Sequence, residues 1–236
     1  MLAKLFPAVL FPAVLASTVL LGACAQNTVD TAAATPEKGD ADFMVARNSR
    51  ADQLYVNMES AKGGSAFRKI FIAPVNDANI QIIQPEGTGR GDGWDVNDIE
   101  DGILQNAMAG EFSKALSYES AFNVVNSRAE ADMVVHTTIV AIHPNASKSA
   151  HEAGGKSGGA VTVSLALINA ATGEVMVRSV DTKSTDNIWA FNNLETADPA
   201  VNLIFKSWGN SMRRGILHLQ GRSVDPAIEA LQLKPQ

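Results

Sequence analysis

The sequence predicts an α+β fold, a two-layer sandwich in which a mainly antiparallel sheet carries two helices packed on one face. Three observations predict it. Two long segments repeat apolar residues at spacings of three and four, several short β-branched runs lie between and before them, and the turn signal Ala171-Thr172-Gly173-Glu174 separates two alternating runs. The element order reads β-β-α-β-β-β-β-α, and residues 51–236 have the length of one ordinary domain.

Taken in order, residues 67–75 (FRKIFIAPV) form an apolar interior strand that ends at Pro74, and Leu54-Tyr55-Val56 pairs beside it. Val96, Ile99, Ile103, Ala107, Met108, Phe112, Ala115 and Leu116 make the buried stripe of the first helix, with Asp95 as its N-cap. Phe122-Asn123-Val124-Val125 is a short strand, and a turn at 127–130 leads into a longer one at 132–143. Val161, Val163, Leu165 and Leu167 alternate with small residues, so helices cover one side of this strand and solvent the other. Residues 175–180 return as the second arm of a hairpin. Asp198-Pro199 caps and opens the last helix, whose stripe is Val201, Ile204, Phe205, Trp208, Met212, Ile216 and Leu219.

Ahead of this domain, Lys4 and the apolar run from Leu5 to Ala23 have the grammar of an export signal. The run is also long enough for a retained anchor of about 20 residues. Pro7 and Pro12 disfavour a continuous helix, and no basic stop-transfer cluster follows. Leu21-Gly22-Ala23-Cys24 resembles the bacterial lipobox, which implies cleavage after residue 23 and a diacylglycerol on the Cys24 thiol. Cys24 is the only cysteine, so no disulfide competes for it. Lipoproteins of this type carry three acyl chains, enough for lasting attachment. Ala25 is not the Asp that retains such proteins at the inner membrane in enteric bacteria, which favours the outer membrane facing the periplasm, with the inner membrane as the alternative. Residues 24–50 read as a flexible tether spanning roughly 25 to 30 Å. Loss of residues 1–23 removes Lys4 alone, so the net charge of −6 becomes −7 and argues against nucleic acid as a partner.

Several motifs together resemble a known family. Tyr55-Val56, Arg68-Lys69-Ile70, Ala131-Asp132-Met133-Val134-Val135, Gly158-Gly159-Ala160-Val161, Thr172-Gly173-Glu174-Val175, Asp181 and the Trp208 helix look like the bacterial lipoproteins grouped as domain of unknown function 3313. The resemblance covers most of residues 50–220 and implies no established activity.

Candidate sites each have a plainer structural explanation. Gly87 to Gly93 (GTGRGDG) precedes a helix as a phosphate loop would, but lacks the Gly-Lys-Ser/Thr ending and the G-x-G-x-x-G register, and reads more simply as a surface loop. The triplet Arg90-Gly91-Asp92 occurs often by chance. Asp92, Asp95, Asn97, Asp98, Glu100 and Asp101 offer hard oxygens for Ca²⁺, without EF-hand spacing, and the helix dipole already explains acids there. His143 and His151, with Glu152, offer ligands for a transition metal but no third fixed one, so no metal and no cofactor is expected. His136 and His143 are seven apart and point to opposite faces of a regular strand. The Asn145-Ala146-Ser147 sequon carries no meaning in a bacterial chain.

Strand parity adds one inference. If 132–143, 161–168 and 175–183 are consecutive antiparallel neighbours, the loops 144–158 and 184–198 leave the same end of the sheet, and the loop 76–95 leaves the opposite end. The shared end carries His143, His151, Trp189 and Phe191 as a binding surface, unless Trp189 and Phe191 close the core. No G-x-S-x-G elbow or other catalytic constellation is found, so a non-catalytic module that binds an envelope protein or cell-wall component is the leading expectation. A small-molecule or metal-binding accessory protein is the alternative, and a hydrolase comes third.

Overall fold

The computed structural model describes residues 42–46, 49–154, 158–188 and 200–222. The sheet strands are β1 (Phe43–Val45), β2 (Gln53–Asn57), β3 (Lys69–Ile72), β4 (Gln81–Ile82), β5 (Asn123–Val125), β6 (Met133–Pro144), β7 (Gly159–Asn169) and β8 (Val175–Thr185). The helices are α1 (Met58–Lys62), α2 (Asp98–Ser117), α3 (Lys148–Glu152) and α4 (Ala200–Leu219). Among the described residues the strands form one eight-stranded sheet in the order β1-β2-β8-β7-β6-β3-β5, with β4 beside β6.

The sheet is mixed, which corrects the mainly antiparallel expectation. β1, β2, β8, β7 and β6 are antiparallel neighbours. β3 runs parallel to both β5 and β6, and β4 runs parallel to β6. The physical reason is the long helix between β3 and β5, a crossover that brings the chain back in the same direction. The crossing from β5 to β6 is fixed by Asp132, whose carboxylate accepts the backbone N–H groups of Arg68 at 2.8 Å and Lys69 at 2.9 Å. Desolvation pushes that carboxyl's pKa up, but these two hydrogen bonds and the Lys69 and Arg68 charges bring it below the usual value. β2 pairs with β1 and β8 rather than with β3. β1 falls inside the stretch read as tether.

Four helices are described where two were expected: the long α2 and α4 pack together on one face, and the one-turn α1 and α3 are too short to show a period in the sequence. α2 buries Leu104, Met108, Phe112, Ala115 and Leu116. Its N-cap is Asn97, not Asp95: the Asn97 side chain accepts from Ile99 and Glu100 N–H while Glu100 reaches back to Asn97 N–H. With the helix beginning there, Ile99 lies in an outward first turn, 76% exposed, and Leu104, which the expected stripe omitted, takes the core position while Ile103 is half-buried. α4 buries Val201, Ile204, Phe205, Trp208, Met212, Ile216 and Leu217.

Helices and sheet are tied by a buried polar contact. The Trp208 indole donates to Asp181 Oδ2 at 2.7 Å, Lys183 Nζ lies 3.1 Å from the same oxygen, and Asp52 N–H donates to Oδ1 at 3.2 Å. Asp181 is 6% exposed, so its partners are what make a carboxylate tolerable there.

Candidate binding surface

The register Pro144↔Gly159 and Gly159↔Thr185 makes the connections after β6 and after β8 leave from one end, as strand parity predicts. Only glycine fits at 159, because a Cβ there would stand 2.5 Å from the His143 carbonyl oxygen. The loop 76–95 is at this end too, which corrects the opposite placement. β3, the Asn76↔Thr138 bridge and β4 follow β6 in parallel and deliver the chain to the same edge.

That delivery builds a compact surface from two loops. Gln84 clamps the Trp94 backbone, its Oε1 accepting from Trp94 N–H and its Nε2 donating to Trp94 O, both at 2.8 Å. The Trp94 indole then donates to Ala146 O at 2.7 Å, and its ring meets that of His151 at 5.4 Å between centroids and 56° between planes. Asp92 accepts from Ser149 N–H at 2.7 Å and from its hydroxyl at 2.9 Å. The backbone N–H of Ser149 first, and its hydroxyl second, hold the Asp92 carboxyl below its ordinary pKa. Lys148 sits 3.6 Å from Asp95, and Ser147 caps α3.

The sequence-derived candidates are distributed over this end without converging. His151 packs on Trp94. His143 lies on the sheet face away from α2 and α4, and burial lowers its pKa below the ordinary imidazole value. His136 and His143 share that face, contrary to the regular-strand expectation, because a bulge between Ile139 and Ala141 inverts the alternation. Their β7 partners are Ala166 and Ala160, so the rings are held about 20 Å apart along the strands. Among the described residues no three of His, Cys, Asp and Glu are placed to hold a metal ion. Trp189 and Phe191, and Leu21, Gly22, Ala23 and Cys24, lie outside the described residues.

The glycine-rich loop spends its polar groups on itself and on α3. Thr88 N–H and Oγ1 both donate to Pro85 O, at 3.2 and 2.7 Å, and Asp92 N–H donates to Gly89 O at 3.1 Å. The acidic run is likewise distributed: Glu100 caps, Asp92 binds α3, and Asp95 faces Lys148. Trp94 is the residue that sequence reasoning missed. Its signal was a lone tryptophan between a glycine-rich loop and a helix cap.

A second surface lies at the sheet edge. β1 has a neighbour on one side only among the described residues, and Met44 and Val45 are 63% and 64% exposed on it. A free edge with bare apolar side chains is a docking surface or a hazard.

Residues 42–209 match the family model described as "Protein of unknown function (DUF3313)". The chain belongs to this family. The DUF3313 match starts one residue before β1 and ends at Gly209 in α4, so it spans the whole sheet. Among solved structures, similar folds include a point variant of the PelC dodecamer from Paraburkholderia phytofirmans, 11% identical, covering 66% of this chain and 90% of that one, TM-score 0.37. The hypothetical protein CT253 from Chlamydia trachomatis is 10% identical, with 65% and 98% coverage and TM-score 0.40. Lipoprotein GNA1162 from Neisseria meningitidis is 11% identical, with 62% and 99% coverage and TM-score 0.34. No curated protein matches this DUF3313 chain in sequence. No helix among its described residues is long and apolar enough to cross a membrane.

Proposed function

We propose that the protein is an outer-membrane lipoprotein, anchored through acylated Cys24 and facing the periplasm, whose domain binds another envelope protein without catalysis. The carrying observation is the edge of β1, which has no neighbouring strand on its outer side among the described residues and carries the exposed Met44 and Val45. An added strand from a partner would satisfy that edge and cover those side chains. The lipobox-like Leu21-Gly22-Ala23-Cys24 supports the anchor.

In-cell photo-crosslinking tests this. A crosslinking residue at Met44 or Val45 is expected to trap a discrete envelope-protein adduct, while one at Leu203, which is 50% exposed on α4, does not. Absence of any adduct from β1, or equal adducts from both places, would refute the edge as the docking surface.

A further inference from the structure

Two carboxyl groups between the β3–β4 segment and α2 are left over after the capping contacts are assigned. Asp77 lies in the segment between β3 and β4, which is sewn to β6 by Asn76 N–H to Thr137 O at 2.8 Å and Ile139 N–H to Asn76 O at 2.9 Å. Asp101 lies in the first turns of α2. The two carboxyls meet at a single donor, the Gln105 side-chain amide. Gln105 bridges them, its single Nε2 donating to Asp77 Oδ2 and, at 3.0 Å, to Asp101 Oδ2.

That amide has two hydrogens, and both are used. Asp101 Oδ1 is buried and has no hydrogen-bond partner among the described residues. A buried acceptor left bare costs free energy unless a proton or donor reaches it. The charged groups that act on Asp101 are Asp77 from the facing segment and Asp98 on its own helix, both negative, so no described cation offsets the pair. Asp77 is the only titratable residue between Ala73 and Ile80, and Glu100 is engaged in the capping box.

We propose that Asp77 and Asp101 form a proton-sharing latch that fastens the start of α2 to the β3–β4 segment in mildly acidic surroundings and loosens it as the pH rises. Burial first, then the hydrogen bond and charge of Asp77, raise the Asp101 pKa to about 6. A folded pKa above the unfolded one means that the fold holds the proton more tightly than the open chain does. The latch is therefore fully fastened below the unfolded value near 4, weakens between that and about 6, and is open above it. Opening repels two carboxylates across the junction from which the Trp94 segment hangs, since that segment joins β4 to α2. The loop-end surface is thus coupled to pH through a pair that touches neither Trp94 nor His151. This holds whether or not the lipid-anchor reading does.

Carboxyl ¹³C NMR of aspartate-labelled full chain in detergent micelles reads the pair directly. One resonance is expected to titrate near pH 6, to vanish in Asp101→Asn, and to move toward the ordinary aspartate range near 4 in Asp77→Asn. Hydrogen exchange supplies the mechanical readout. After correction for intrinsic rates, the first turns of α2 should exchange several-fold more slowly at about pH 5 than at about pH 7.5. The last turns should not change, and Asp101→Asn should abolish the difference. The chain also holds four histidines, a side chain that as a class changes charge at mildly acidic pH, so wild type is compared with the variants and not with itself alone. An Asp101 resonance with an ordinary midpoint, or pH-dependent exchange that survives in both variants, overturns the latch.

Discussion

Replacing Gly209 by alanine should destabilise the protein even though alanine is the better helix former. Gly209 lies where α4 crosses α2, and a Cβ built on it would stand 2.8 Å from Ala115 Cβ, 3.2 Å from Glu111 O and 3.4 Å from Phe112 Cα. Methyl groups in contact rest at about 3.5 to 4.0 Å, so the helices must separate by nearly 1 Å. None of the three atoms is the end of a flexible side chain, and Phe112 is fully buried, so separation disturbs the centre of the core. Helix propensity favours alanine by about 1 kcal/mol, while overpacking of this kind costs about 1 to 3 kcal/mol. With loosened packing around Phe112 added, the net expectation is a loss of about 1 to 2 kcal/mol, or a Tm lower by about 2 to 8 °C. Gly215 is the internal control, since a Cβ there meets nothing within 4 Å. Gly215→Ala in the same helix should gain about 0.5 to 1 kcal/mol. Urea unfolding followed by circular dichroism measures both. Ala115→Gly should offset part of the Gly209→Ala loss, giving a favourable coupling in the double variant. A Gly209→Ala protein as stable as wild type, or one showing no coupling to residue 115, would refute the close-crossing argument.

Two further predictions concern the core and the anchor. Asp181→Ala should cost about 2 to 3 kcal/mol, because it strands the buried Trp208 indole N–H and the Lys183 charge, whereas Asp181→Asn keeps an acceptor and costs less; urea midpoints of the two variants check this. Cys24→Ser should abolish labelling by an alkyne fatty acid without changing the thermal melt, and a retained label or a lost fold would contradict the assigned role.

The parts of the fold that were legible are those with a period. The stripe of α4 and the alternation Val161, Val163, Leu165, Leu167 are set by which side chains must leave water, and they appear among the buried residues almost one for one, whereas of the α2 stripe Met108, Phe112, Ala115 and Leu116 are buried, Val96, Ile103 and Ala107 are half-buried and Ile99 is exposed. Direction was not legible. An apolar strand such as Lys69–Ile72 fits beside β6 either way, and only the α2 crossover decides that it lies parallel. One wrong direction displaced the whole 76–95 loop, and with it Trp94, from the site to which it belongs. Local irregularities hid the rest: one extra residue in β6 put His143 on the face of His136, and the cap expected at Asp95 falls at Asn97, where the reciprocal bond with Glu100 decides it.

The choice of the β1 edge over the sheet face turned away from α2 and α4 can itself be put to a test that spares the fold. Ala46 N–H donates to Leu54 O at 2.8 Å, and antiparallel alternation then turns the Met44 N–H toward β2 and the N–H groups of Phe43 and Val45 toward the free side. Proline at 45 removes only an outward donor, in an edge strand where its fixed φ is tolerated. Val45→Pro should leave the melt within about 2 °C of wild type, since no β1–β2 hydrogen bond is lost. It should nevertheless remove the adduct trapped from Met44, because an incoming strand needs that donor for its ladder. A partner held by the side chains of the face without helices, where the half-buried His136, Thr138, Ser164 and Ala166 lie, does not register the change. Persistence of the adduct in folded Val45→Pro would therefore move the docking surface from the edge to that face.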